Sequence, residues 1–343
     1  MCAPWEPAFY PNNDMVIGFN TYLGTHFPQI YHDPLTNSLP YSALQDYFSH
    51  AFSARLDPFN DLYVLDHARS RVLIYWAAPL TISGNTGLAG ATLTYLDGTT
   101  KTAVADGSGN YSFNVRSGWS GTVTPSAAGY GFWPLTRTYS AMISDQTGQD
   151  YAAFPTSTTS RQSAANDGWI LESGETTNTG GSLNSSATTF TLGDDSSNRQ
   201  YRSILSFGTG ILPDSAVVQS AVIKIKQSGA PIGTNPFSVL GKLIIDIRKP
   251  YFGTAFGLQL ADFNAPASAA AVGAFGKKPA GNWYSATLNA TGRSHISTTG
   301  PTQLRLRFSL DDNNDHLANL MSFFSGNALA ANRPVLVIQY FVP

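Results

Sequence analysis

An all-β chain is predicted by three features of the amino-acid sequence. Short runs alternate apolar and polar residues with period two, as in Asn110-Tyr111-Ser112-Phe113-Asn114-Val115. Turns such as Asp97-Gly98 and Asp106-Gly107-Ser108-Gly109-Asn110 separate those runs, the signature of antiparallel strands. Charged residues make up only 12% of the chain, about half the usual share. Ser, Thr, Gly and Asn fill the polar positions, a balance that suits pleated surfaces and not helices, which draw on Glu, Lys and Ala. At 343 residues the chain is long enough for two or three domains.

Composition also excludes several roles. A net charge of −2 gives no electrostatic footprint for nucleic acid, so no nucleic-acid partner is expected. The single cysteine, Cys2, cannot form an internal disulfide and supplies no CxxC pair for zinc. No apolar run reaches the roughly 18 residues of a transmembrane segment. The first residues, Met1-Cys2-Ala3-Pro4-Trp5-Glu6-Pro7, lack the basic and apolar regions of a secretion signal.

In the N-terminal part, residues 1–78, the runs Leu62–Leu65 and Arg71–Trp76 flank a short polar turn and predict a hairpin. The segment Leu62-Tyr63-Val64-Leu65-Asp66 followed by Arg71-Val72-Leu73-Ile74-Tyr75 resembles an NHL-type propeller repeat. That resemblance implies a partial propeller blade in which Asp66 and Arg71 pair across the hairpin and Met15-Val16-Ile17-Gly18 is a linking strand. One blade cannot bury its own faces. The chain is therefore expected either to be the C-terminal portion of a longer product, which would also account for the missing signal, or to use a lone remnant blade as a docking element.

Residues 79–154 alternate in short strands, Leu80-Thr81-Ile82-Ser83-Gly84, Ala91-Thr92-Leu93-Thr94-Tyr95, Asn110–Val115 and Gly121-Thr122-Val123-Thr124-Pro125. This predicts a small antiparallel sandwich. The same stretches resemble the carboxypeptidase-regulatory-like and Cna-B-like family, which implies an Ig/transthyretin-like spacer without chemistry of its own. Residues 155–165, rich in Pro, Ser and Thr, read as a linker too polar to pack a core.

Residues 166–343 carry strand candidates at Thr188–Leu192, Gln200–Phe207, Ala216–Gln227, Lys242–Arg248, Asn282–Leu288, Gln303–Leu310 and Pro334–Phe341. Their even spacing predicts a jelly-roll-like sandwich, with room for short helices at Leu260–Val272 and His316–Phe324. Asp167-Gly168-Trp169, Leu192-Gly193-Asp194-Asp195, the run Arg199–Phe207, Leu212-Pro213, Asp246-Ile247-Arg248 and the stretches 311–315 and 325–340 resemble the DNRLRE family, also described as carbohydrate-binding module family 96. The resemblance implies an extracellular, non-catalytic module that binds polysaccharide in some members.

No constellation for catalysis is present in the sequence. No Gly-x-Ser-x-Gly elbow occurs, and Gly118-Trp119-Ser120-Gly121 reads as a turn between strands. The six histidines never reach metalloprotease spacing, and Gly208-Thr209-Gly210 runs into Ile211-Leu212-Pro213 and so breaks a nucleotide fingerprint. Glutamate occurs only at Glu6, Glu172 and Glu175, a thin supply for paired glycosidase carboxylates.

Two binding readings remain. Asp311, Asp312, Asn314 and Asp315 gather hard oxygen ligands and make a candidate structural calcium site, one that Asp194 and Asp195 could share, against the alternative of a solvated turn. His316 and Ser322 stand where an EF-hand needs glycine and glutamate, so that geometry fails. Trp169, Tyr201, Trp283 and Tyr284 are candidates for stacking on sugar rings, with Arg199, Arg202 and Arg248 reaching hydroxyls or carboxylates. The expected role is an extracellular or cell-surface, non-enzymatic module that binds polysaccharide or cell-surface glycan and needs no cofactor beyond the candidate calcium. The alternatives are a self-associating subunit of a surface coat or fibre, and the accessory end of a polysaccharide-degrading enzyme.

Overall fold

A computed structural model describes residues 77–165 and 167–343, and before them the backbones of seven strands. Among the described residues strands dominate, and the helices are single turns of no more than five residues. The chain divides into two compact units, Met1–Ala153 and Phe154–Pro343.

In the first unit, Pro4–Phe9, Met15–Phe19, Gln29–Tyr31 and Pro40–Ala43 form a four-stranded antiparallel sheet. Ala51–Leu56, Leu62–Asp66 and Arg71–Tyr75 form a separate three-stranded one. The predicted hairpin is present, and its register sets Asp66 opposite Arg71. Their side-chain pairing lies outside the described residues. Met15–Phe19 belongs to the other sheet and does not pair with the hairpin it was expected to link.

The rest of that unit is a two-sheet sandwich. One sheet runs Thr99–Val104, Thr92–Asp97, Gly121–Ser126, Arg137–Tyr139, and the other pairs Asn110–Val115 with Leu80–Asn85. Period-two alternation turns Tyr111, Phe113 and Val115 inward onto Ile82, Leu93, Tyr95 and Val123. Trp119 closes this core, its indole N–H donating to the Leu96 carbonyl at 2.9 Å. The Gly118–Gly121 turn exists to seat that ring, since a Cβ at Gly121 would lie 2.2 Å from it.

In the second unit a four-stranded sheet runs Ser157–Gln162, Val335–Phe341, Val217–Lys226, Trp283–Thr287. It faces a larger sheet in the order Gly180–Asn184, Gly168–Glu172, Gln200–Phe207, Thr302–Phe308, Leu243–Arg248, Ala269–Ala274, to which Thr189–Asp194 and Asn319–Phe324 add. Leu205, Phe207, Ile223, Ile245, Leu304, Leu306, Phe323, Leu336 and Ile338 fill the space between, each fully buried. The predicted two-sheet architecture is therefore observed, with three local corrections.

The stretch expected to be a linker contains Ser157–Gln162, an edge strand paired along its length with Val335–Phe341. Hydroxyl side chains suit an edge strand because one flank of it stays in water. The helix expected at His316–Phe324 is instead the strand Asn319–Phe324, whose Asn319, Met321 and Phe323 turn inward in alternation. Leu260–Val272 yields only the 3-10 turn Leu260–Phe263, after which Ala269–Ala274 is extended.

The outer face of the large sheet carries a second, smaller core. Ile170 and Ile204 project outward and are covered by Phe252, Phe263 and Ala265 from the 249–268 segment. What holds that segment down is polar. Register places Asp246 opposite Arg305, and the Arg305 Nη2 lies 3.0 Å from the Asp246 Oδ2. Arg305 Nη1 donates to the carbonyls of Asp262, Phe263 and Ala265 at 3.1, 3.2 and 2.8 Å. Asp246 also accepts from Arg307 Nε at 3.1 Å and from the Ala271 amide at 3.0 Å, where the edge strand bulges with Ala271 at φ 50°. Burial pushes the Asp246 carboxyl up, but the Ala271 amide and the two guanidiniums outweigh it and leave the group below its ordinary range.

Asp246→Ala strands a buried guanidinium, and we expect a loss of about 3–5 kcal/mol in urea unfolding of the second unit. A loss below about 1 kcal/mol would show that the segment is held by its apolar contacts alone.

Candidate functional site

Of the aromatics proposed for sugar stacking, Tyr284 is only 3% exposed. It stacks on Phe237 at 5.3 Å inside the sandwich. Trp169 and Tyr201, both half-buried, meet edge to face at 5.2 Å, and Trp169 packs against the main core. Register explains this placement, because Trp169, Leu171, Tyr201 and Ser203 share the inward face while Ile170, Arg202 and Ile204 share the outward one.

The arginines separate as well. Arg199 is committed to Asp195 four residues earlier, at 2.6 Å. Arg202 is buried, donating to Gln200, Phe263, Asn264 and Asn178 and lying 4.0 Å above the Phe263 ring. Burial, then the charges of Arg305 and Arg307, pull its pKa down to about 10. Arg248 donates to the Tyr251 carbonyl. The structure therefore does not assemble the seven predicted residues into one site.

The remaining one, Trp283, does face outward. Gly281 and Asn282, both at positive φ, form a two-residue turn that returns the chain with Ala280 and Trp283 exchanging backbone bonds of 2.9 and 3.0 Å. The ring thereby reaches the outer face of the smaller sheet, half-buried beside a groove of about 550 Å³ lined by Ser160, Lys224, Ser285, Val335 and Val337. Lys226 holds its ammonium 5.8 Å from the ring centroid and 2.8 Å from the Asn332 side-chain oxygen.

A second concavity lies on the opposite side of the sandwich, on the outer face of the large sheet beyond the reach of the 249–268 segment. It measures about 430 Å³ and is lined by Glu172, Glu175, Asn178, Gln200, Arg202, Arg307 and Asp311 among others. Sequence reasoning singled out Arg202 and Asp311 but not this grouping, because its members come from strands far apart in the chain. Glu172 is fixed by accepting the Asn178 amide at 2.5 Å and the Gln200 amide at 3.4 Å. Burial raises its pKa, the two amides and Arg202 oppose the rise, and Asp311 adds to it.

The candidate calcium residues do not converge. Asp312 accepts the Asn314 amide at 2.8 Å, and Asp315 accepts the Leu317 amide at 2.8 Å and the Asn313 side chain at 2.7 Å, the solvated-turn arrangement. Asp311 faces the second concavity. Among the described residues no three His, Cys, Asp or Glu side chains are grouped so as to hold a metal ion. Asp195 caps its own turn through Ser197 and Arg199.

Asp194 is different. Its two oxygens are buried without a hydrogen-bond partner. Burial pushes its pKa up to about 6, opposed by the Asn319 side chain and the Asn313 amide, which lie near without aligning, and reinforced by Asp315. Several residues that carry the family resemblance also serve structure. Asp167 accepts the Ser206 amide at 2.7 Å and the Gly326 amide at 3.2 Å, and a Cβ at Gly168 would lie 2.2 Å from the Asn184 carbonyl oxygen.

No family model matches the chain, and no curated protein matches it. Solved structures similar to it include a variant of BcpA, the major pilin subunit of Bacillus cereus, at 10% identity, covering 77% of this chain and 69% of that one, with a TM-score of 0.22. The full-length major pilin SpaD from Corynebacterium diphtheriae is 10% identical over 77% of this chain and 65% of its own, TM-score 0.26. The T6 backbone pilin of serotype M6 Streptococcus pyogenes is 13% identical over 74% and 59%, TM-score 0.25. Superpositions this limited transfer no role.

Asp194 binds its proton more tightly folded, at a pKa of about 6, than unfolded, near the ordinary 3.9. Its contribution to stability is therefore full at low pH and is lost as pH rises from about 4 to 6. In melting scans across that range, Asp194→Asn should flatten this part of the wild-type profile; an unchanged profile would assign the dependence to other carboxylates.

Proposed function

We propose that this chain is a non-catalytic, extracellular or cell-surface module chain whose second unit binds polysaccharide along the outer face of its smaller sheet. The observation that carries the reading is Trp283, half-buried beside an open groove with Lys224 and Lys226 close by. An indole fixed by a tight turn offers a flat apolar face to a pyranose ring at little entropic cost. Val335 and Val337 extend the apolar floor, while Ser160 and Ser285 supply hydroxyls. Two ammonium groups favour an acidic polysaccharide, in which carboxylates recur along the chain.

A binding role, and not a chemical one, is supported by how the carboxylates are used. Glu172 accepts two backbone amides and Asp246 pairs with two guanidiniums, so both are engaged in holding the fold. No helix among the described residues is long and apolar enough to cross a membrane.

A second reading, self-association into a surface fibre, is favoured by one feature of the first unit. Among the described residues Thr99–Val104 pairs only with Thr92–Asp97, which leaves its outer flank open, with Val104 63% and Leu96 62% exposed. An open edge is a template for strand addition, although Lys101 at its centre is the kind of charge that blunts such pairing. Sedimentation velocity at rising concentration tests this, and a monomer at 100-fold above micromolar levels would remove it.

Affinity electrophoresis of the full chain through gels containing polygalacturonate, alginate or a neutral glucan tests the main reading. Retardation should be strongest with the acidic polymers and weaken with salt, and Trp283→Ala should reduce affinity about tenfold or more. No retardation by any polymer, or equal retardation of the variant, would contradict it.

A further inference from the structure

We propose that the concavity on the outer face of the large sheet is a second, independent binding pocket for a single sugar residue or similar polyol, recognised by hydrogen bonds and not by stacking. It lies across the sandwich from the Trp283 groove and stands whether or not that groove binds.

Several polar groups there remain unsatisfied. Arg307 uses its Nε on Asp246, and neither Nη has a partner in the described structure. Asn178 accepts from Arg202 through Oδ1, leaving its amide N–H groups unused. Among the described residues Glu175 accepts one bond, from Asn198 at 3.2 Å on Oε1, and Asp311 accepts none. The pocket thus offers donors and acceptors side by side. Its framework is fixed by the buried groups beneath it: Gln200, 1% exposed, donates to the carbonyls of Phe308 and Leu310 and accepts from Arg202.

That mixture selects a ligand class. A simple anion would meet three carboxylates, Glu172, Glu175 and Asp311, and a simple cation would meet Arg202 and Arg307. Neighbouring hydroxyls on a sugar both donate and accept, so they satisfy guanidinium and carboxylate together. At about 430 Å³ the space suits a small ligand. With three carboxylates at its walls, the pocket should prefer a neutral hexose to a uronate.

Saturation-transfer NMR on the full chain, with glucose, galactose, mannose and glucuronate as probes at millimolar concentration, tests the assignment. We expect transfer to at least one neutral hexose, a loss of affinity of about tenfold in Asp311→Ala, and, in the Trp283→Ala background where the groove no longer contributes, several-fold weaker transfer to glucuronate. Asp311 has no structural partner, so that variant should fold, which its melting curve will show. Trp283→Ala should leave the hexose signal unchanged, separating this pocket from the groove. No transfer to any neutral hexose, or a signal that survives Asp311→Ala, or one that disappears with Trp283→Ala, would overturn the proposal.

Discussion

The second unit depends on a single buried carboxylate. Asp246, with a side chain 1% exposed, holds Arg305 and Arg307 and caps the Ala271 bulge. Arg305 in turn collects three carbonyls from the segment that covers the outer face. Removing two charges from water costs several kcal/mol each, and the cost is offset only where every remaining donor and acceptor finds a partner. Here the strand register supplies those partners, since Asp246, Arg305 and Ile204 stand in one row across three strands. The same guanidinium lies 4.7 Å from the Phe252 ring centroid, so the polar anchor and the small outer core are one assembly.

That arrangement determines which part of the large sheet stays uncovered. The 249–268 segment covers one part of the large sheet, and Gln303 reinforces it by accepting the Phe252 amide at 2.7 Å and donating to the Phe256 carbonyl at 3.0 Å. The uncovered part keeps the polar side chains that the alternation sends outward, and it becomes the pocket. On the other sheet nothing equivalent among the described residues lies over Val335, Val337 and Trp283, and the groove results. Both surfaces rest on strands whose inner faces are fully packed, so their geometry is fixed before a ligand arrives.

Much of the fold was legible. Runs such as Gln200–Phe207 and Pro334–Phe341 are bounded by turn residues, and the seven expected strands of the second unit fall within a residue or two of their expected ends, whereas Gly168–Glu172 and Gly180–Asn184 were not expected. Ser157–Gln162 was not legible, because an edge strand of hydroxyl residues has the composition of a linker and is specified by its partner. Asn319–Phe324 was misread because it is short and follows a polar loop that could have begun a helix. The candidate site was less legible. Trp283 and Tyr284 are adjacent, so pleating must send one out and one in, and only the register with Val217–Lys226 says which. Glu172, Arg307 and Asp311 converge through long-range pairing that no local spacing encodes.

A crystal structure of the full chain grown with an acidic oligosaccharide tests the central claim, that the work of the second unit is done by its outer surfaces. The account predicts sugar density with one ring parallel to the Trp283 indole and a carboxylate directed at Lys224 or Lys226. Well-ordered sugar bound elsewhere, with Trp283 uncovered, or a bond of the oligosaccharide found cleaved, would contradict it.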